Sequence, residues 1–236
     1  MLFVTCNGGN FGDWTQSPNK NWFSDNARTA TSREDVQRER EAFEQRRQEA
    51  LAKAVARAQH IWDSADPAPS THPYLLKKMV EPNGARTDGG DLVLPVRDVW
   101  GQLTSLQFIA PDGRKRFLSG GRTKGCLITV ARPMEQPTRL VLCEGWATGC
   151  TLASDYPEYE DCMVVAGLNA GSLMPVALEL RKRWPAVFVV VAADDDRGKA
   201  NNPGLEAAQK VAELKDTQLI YPSFPPDASL HLTDFN

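Results

Sequence analysis

Two stretches decide the reading of this chain. One is Leu140-Val141-Leu142-Cys143-Glu144-Gly145. The other is Val187-Phe188-Val189-Val190-Val191-Ala192-Ala193, which runs into Asp194-Asp195-Asp196-Arg197-Gly198. Each is a short apolar run that stops abruptly in acids and a glycine, the signature of a buried strand meeting a functional turn. Around them the pattern alternates. Ala147–Ser154, Leu173–Arg183 and Pro203–Leu214 read as helices, and Met163–Ala166 and Gln218–Tyr221 as strands. Strands and helices alternating at this spacing predict right-handed crossovers and a parallel sheet.

In an open parallel sheet, function gathers at the carboxyl ends of the strands. If the two acid-ended strands are neighbours, Glu144 and the aspartates meet on one patch. Two carboxylates about 4 Å apart repel by roughly 4 kcal/mol at an effective dielectric near 20, so such a patch needs a counter-charge. A hard divalent cation with oxygen ligands supplies it, and Mg²⁺ would take its remaining ligands from water and a phosphate-bearing substrate. An extended turn puts Asp194 and Asp196 on one side and Asp195 on the other. Gly145 and Gly198 suit sharp turns with close backbone approach. The plainer alternatives are an acidic triplet capping the helix that follows, and a Glu-Gly pair that is merely structural.

Upstream, Leu92–Val96, Leu103–Ile109, Lys115–Leu118 and Cys126–Val130 read as strands separated by turns at Asp98–Gly101 and Pro111-Asp112-Gly113. They predict a small antiparallel α+β unit. Before it, Asp66-Pro67-Ala68-Pro69-Ser70-Thr71 has the composition of a linker. A long helix is expected from Arg33 to Ala65, opened by the capping-box spacing of Thr31 and Glu34 and stopped by Pro67. Its near-balanced charges favour i,i+4 pairs on a solvated connecting helix, with a nucleic-acid-binding arm as the alternative. The first thirty residues show little periodicity. Phe11, Trp14, Trp22 and Phe23 suggest a segment that packs through aromatics and does not fold alone, like a sheet lacking its earlier strands.

Composition bounds the rest. In 236 residues, 27 Lys and Arg face 30 Asp and Glu, a net charge of −3, so any nucleic-acid contact must come from local basic patches. Arg114-Lys115-Arg116, with Arg122 and Lys124, is such a patch, suited to a triphosphate or a template backbone; a solvated hairpin rim is the alternative. Phe117 beside it reads as core or as a stacking platform, and Arg97 with Asp98 as a turn ion pair. Cys6, Cys126, Cys143, Cys150 and Cys162 form no CxxC pair, which argues against a disulfide framework and a zinc ribbon and for a reducing cytoplasm. No apolar run reaches the roughly 18 residues of a membrane span, and nothing at the N-terminus reads as a secretion signal.

The two acid-ended strands resemble the Toprim domain, the metal-binding module of bacterial-type primases, topoisomerases and some nucleases. Glu144-Gly145-Trp146-Ala147-Thr148-Gly149 is similar to the EGYATA-type motif of primases of satellite phages and conjugative plasmids. Asp194–Asp196 with Asn202-Pro203-Gly204, the loop Gly167-Leu168-Asn169-Ala170-Gly171, and Asp234-Phe235-Asn236 resemble further motifs of the same primases. So do His72-Pro73-Tyr74-Leu75, Pro95-Val96-Arg97-Asp98, Leu106-Gln107-Phe108-Ile109, Asp112–Leu118 and Gly120-Gly121.

The resemblance implies an α/β fold: a Toprim, Rossmann-like parallel sheet flanked by helices, preceded by a small α+β primase subdomain and a long charged helix. The implied divisions are an aromatic segment at 1–30, the helix at 31–66, the subdomain at 70–135, the Toprim domain at 138–226 and a tail at 227–236. It further implies a primase core making short RNA primers on single-stranded DNA from nucleoside triphosphates in a bacterial host cytoplasm. Glu144, Asp194 and Asp196 are the implied metal-binding and catalytic residues. Mg²⁺ or Mn²⁺, as two ions, is the expected cofactor. No zinc and no membrane are expected, and a replicative helicase is the expected partner. Primases of this kind often carry a zinc ribbon before and a helicase after the core; the absence of a zinc-ligand set suggests a core cut from, or encoded apart from, a larger protein. The competing readings are a Toprim nuclease using the same acids, and a non-catalytic DNA-binding or adaptor protein.

Overall fold

The computed structural model describes residues 3–5, 8–11, 20–23, 33–199, 201–225, 227–230 and 232–236. The chain divides into two units, residues 1–50 and 51–236. In the first, β1 (Phe3–Thr5), β2 (Gly8–Phe11) and β3 (Lys20–Phe23) form an antiparallel sheet of their own. The stretch that looked aperiodic thus contains three very short strands, each too brief for alternation to register. Phe11, Trp22 and Phe23 lie on these strands, while Trp14, Cys6 and the capping residue Thr31 lie outside the described residues.

A 32-residue helix, α1 (Arg33–Ser64), spans the boundary between the units. It is exposed from Val36 to Ala50, as a solvated helix should be. Its second half departs from that expectation. Ala54 and Ala58 are buried, and Ile61 and Trp62 pack with Ala58 against Val93, Leu106 and Phe108. Alanines at i and i+4 let this end of the helix approach a sheet closely.

That sheet is antiparallel, ordered β4 (Asp66–Pro67), β5 (Arg86–Asp88), β6 (Asp91–Arg97), β7 (Leu103–Ile109), β8 (Lys115–Phe117). The expected linker therefore begins as a strand, Asp66 and Pro67 pairing with Thr87 and Arg86. Between β4 and β5 lies a short helix the sequence reading lacked, α2 (Pro73–Lys78), whose N-terminal cap is His72 Nδ1 accepting the Tyr74 N–H. The turn into β8 places Gly113 at φ +95°, which a side chain would strain.

The second sheet has the order β13 (Thr217–Ile220), β12 (Phe188–Ala192), β10 (Arg139–Cys143), β11 (Met163–Ala166), β9 (Ile128–Ala131). Its first four strands are parallel, as the alternation predicts, and β9 joins as an antiparallel edge. The stretch read as Cys126–Val130 in the antiparallel unit thus belongs to this sheet, and an Arg97–Leu127 bridge links it to β6. Helix α3 (Trp146–Ser154) covers one face, in a core shared with Leu94, Val96 and Ile109 of the antiparallel sheet. Helices α4 (Leu173–Arg183) and α5 (Pro203–Ala212) cover the other. Gly149 explains one fixed point of the packing: a Cβ there would lie 2.9 Å from Val130 Cγ2 and 3.0 Å from Cys143 Sγ, closer than packed atoms tolerate.

Cys126, Cys143, Cys150 and Cys162 are buried and free. No helix among the described residues is long and apolar enough to cross a membrane.

Candidate active site

Strands β10 and β12 are adjacent and in register, with Cys143 opposite Ala192. Glu144 is the first residue beyond one strand and Asp194 the second beyond the other, so both lie at the carboxyl edge of the sheet centre. Asp194 is largely buried, and its Oδ1 has no hydrogen-bond partner. Burial, followed by the charges of Glu144, Asp234 and Asp196, pushes its pKa up to about 7 from 3.8; Lys115 partly offsets them. Glu144 is raised as well, first by burial and then by Asp196, against a hydrogen bond from the Ala170 backbone and the charge of Lys115. Ala170 belongs to the Gly167–Gly171 loop after β11, which is how that loop serves the site.

Asp195 and Asp196, unlike Asp194, have partners of their own. Asp196, only 9% exposed, is paired with Lys199 at 2.8 Å. Asp195 accepts from Asn202 Nδ2 at 2.6 Å and faces Arg197 at 3.5 Å. Asn202 Oδ1 also accepts the Asp196 N–H at 2.8 Å, so one carboxamide fixes the turn. No side-chain bond from the triplet caps α5, whose N-cap is Asn202.

The glycine expectation shifts. Gly145 has φ −106° and Gly198 is not among the positive-φ glycines, so neither supplies a left-handed turn. Asn201 and Asn202 do, at φ +63° and +41°, a conformation that asparagine tolerates. Close approach falls to Gly204, where a Cβ would sit 2.7 Å from the Asp194 carbonyl oxygen.

Of the five basic residues read as a patch, Lys115 is the one among the charges acting on Asp194 and Glu144. Alternation along β8 explains this. Phe117 packs into the core shared by the two sheets, so Lys115 points to that side. Arg116 points to the other, 3.9 Å over the Phe108 ring and paired with Asp91 at 3.0 Å. Lys115 is exposed as a whole residue, yet its crowded ammonium end has a pKa lowered by desolvation and by Lys78. Arg114 pairs with Asp112 at 2.6 Å and Arg122 with Asp98 at 3.1 Å, while Lys124 is exposed. Asp98 therefore pairs with Arg122, and Arg97 donates to the Gly101 carbonyl, in place of the ion pair expected between neighbours.

Lys78, Lys199, Asn202 and Asp234 are site neighbours that the sequence reading did not assign. Asp234 and Asn236 dock the closing motif onto α2: Lys78 Nζ meets Asp234 at 3.3 Å, and Asn236 Nδ2 donates to the Lys78 carbonyl and to Thr151. Phe235 meets Tyr156 edge-on at 5.6 Å. The motif itself was the available signal for Asp234; nothing in the sequence marks Lys78.

Among the described residues no group of three or more His, Cys, Asp or Glu is disposed to hold a metal ion as it stands. The chemistry of the donors nevertheless fits a hard divalent cation, since they are carboxylates, closely coupled in charge, with the buried Asp194 Oδ1 unsatisfied. Asp196 would have to release Lys199 to join.

This arrangement is the fold of a primase catalytic domain. The solved DnaG primase catalytic domain bound to ssDNA matches with a TM-score of 0.51 at 14% identity, covering 78% of this chain and 74% of that one. In sequence, a DNA primase TraC of Escherichia coli is 35% identical over 196 residues, 78% of this chain and 18% of that protein. A second DNA primase TraC of Escherichia coli is 32% identical over 198 residues, 79% of this chain and 13% of that protein. The resemblance drawn from the motifs is thus matched by relatives that are DNA primases. The chain spans less than a fifth of the length of these relatives. No family model matches it.

Proposed function

We propose that this chain is the catalytic core of a DNA primase, joining ribonucleotides into short primers on a single-stranded DNA template. The observation that carries the reading is the meeting of Glu144 and Asp194, from adjacent parallel strands, with the Asp194 Oδ1 buried and unsatisfied. In the reaction a 3′-hydroxyl attacks the α-phosphate of a nucleoside triphosphate and pyrophosphate leaves. Glu144, Asp194 and Asp196 would hold Mg²⁺ or Mn²⁺, which supplies charge neutralisation for the phosphates.

The chain's own residues do the rest. Lys115, already poised beside the two acids, pairs with phosphate oxygens of the triphosphate. Glu144, whose pKa is raised, either completes the cation site or accepts the hydroxyl proton. The carboxamide of Asn202 holds the backbone of the Asp195–Asp196 turn, so that only the Asp196 side chain has to exchange its partner. Arg114, Arg116, Arg122 and Lys124 offer guanidinium and ammonium groups to the template backbone, Arg114 exchanging its exposed partner Asp112 for phosphate.

The test is incubation with a defined single-stranded template and labelled nucleotides, with each metal in turn. Primers should lengthen with Mg²⁺ or Mn²⁺, stop on chelation, and disappear in Asp194→Ala and Glu144→Ala. Shortening of the template instead would mark a nuclease, and full synthesis by either variant would remove the mechanism.

A further inference from the structure

A second feature lies at the opposite edge of the parallel sheet. Two adjoining hollows of about 600 and 590 Å³ share Trp100, Glu135, Arg183 and Trp184. Met163, Thr138 and Val187, at or just before the amino ends of β11, β10 and β12, also line them. The groove therefore lies about five strand residues, roughly 16 Å, from the acids at the carboxyl edge.

Its presenting groups are built, not incidental. Trp100 sits at the tip of the β6–β7 hairpin and is 64% exposed. Asp98 Oδ1 accepts from the Trp100 and Gln102 backbones at 3.0 Å each, and Gly101 turns at φ +87°. Trp184 is buried and anchored by its indole N–H to the Glu135 carbonyl at 2.8 Å. Between these rings lies the Arg183 guanidinium, 4.3 Å from the Trp184 centroid and 5.6 Å from that of Trp100. Among the described residues nothing accepts a hydrogen bond from it. Arg97 and Arg132 add positive charge to the lining, and Arg122 neutralises one of its two acids, Asp98.

An indole face open to solvent beside a guanidinium with unused donors asks for a ligand that brings an aromatic plane and an anion together. An acidic peptide satisfies only the guanidinium, and a proline-rich peptide only the rings. A nucleic-acid strand satisfies both with each repeating unit, base on indole and phosphate on arginine. We infer that the Trp100–Arg183–Trp184 groove is a second contact for single-stranded nucleic acid, holding the strand away from the catalytic acids. The inference rests on the primase reading for the identity of that strand.

The experiment is fluorescence anisotropy of the full chain with labelled oligo(dT) long enough to span the sheet, titrated at several salt concentrations. Trp100→Ala should weaken binding about ten-fold, and Trp100→Phe should retain most of it, because stacking needs only a ring. Arg183→Gln should weaken binding and flatten the salt dependence by about one phosphate contact. Unchanged affinity in Trp100→Ala and Arg183→Gln, or no binding by the parent chain, overturns the inference and leaves the groove to a protein partner. Primer synthesis by the parent chain keeps the two claims apart. Synthesis with unchanged Trp100→Ala binding sinks the groove alone. Weakened binding by a chain that makes no primers sinks the primase reading alone.

Discussion

Replacing Asp194 by Asn isolates the charge at the centre of the site. With a folded pKa of about 7 against 3.8, Asp194 keeps a proton in the folded chain that the unfolded chain has already lost between those values. The native state then binds more protons, so stability falls as pH rises through that window and stays low above it. A shift of this size corresponds to about 4 kcal/mol, an upper bound because local relaxation offsets part of it. For a chain of this length that is about 10 °C in Tm at most. Asp194→Asn, which carries no charge at any pH, should therefore melt several degrees higher than the parent at pH 8 without metal, and at nearly the same temperature near pH 4. Adding Mg²⁺ should raise the Tm of the parent at pH 8, by mass action on the folded state, and leave the variant almost unmoved. Thermal denaturation across pH 4–8.5, with and without Mg²⁺, reads both effects. A variant no more stable than the parent at pH 8, or one that keeps the full Mg²⁺ response, would refute the reasoning.

Other outcomes follow from single contacts. Gly204→Ala drives a methyl against the Asp194 carbonyl and should cut primer synthesis at least ten-fold with the far-UV circular dichroism preserved; an unchanged rate would show that the acidic turn is free to move. Gly149→Ala forces α3 away from Val130 and Cys143 and should cost about 1–3 kcal/mol by urea denaturation. Lys115 lowers the pKa of both Asp194 and Glu144, so Lys115→Met should move the acidic limb of the pH–rate profile to higher pH. A limb that stays in place, with only the rate reduced, would assign Lys115 to substrate binding alone.

The elements with a strong local signal were legible from the residues. The β-branched run before Asp194, the apolar run before Glu144 and the helix Leu173–Arg183 need no distant partner to declare themselves, and their alternation is enough to imply a parallel sheet. The types of the candidate-site residues were legible for the same reason, since acids follow both of these strands. What the sequence could not supply was adjacency. That β10 lies beside β12 follows from crossovers and a shared core, and only this brings Glu144 to Asp194. Tertiary packing also sorted the basic patch, sending Lys115 toward the acids and Arg116 away because Phe117 had a core to enter. The same packing brought Lys78 and Asp234 together across 156 positions, and set Trp100 beside Arg183. Local patterning decides which residues must be buried or turned; which of them meet depends on how separate surfaces find one another, a choice made by the whole fold.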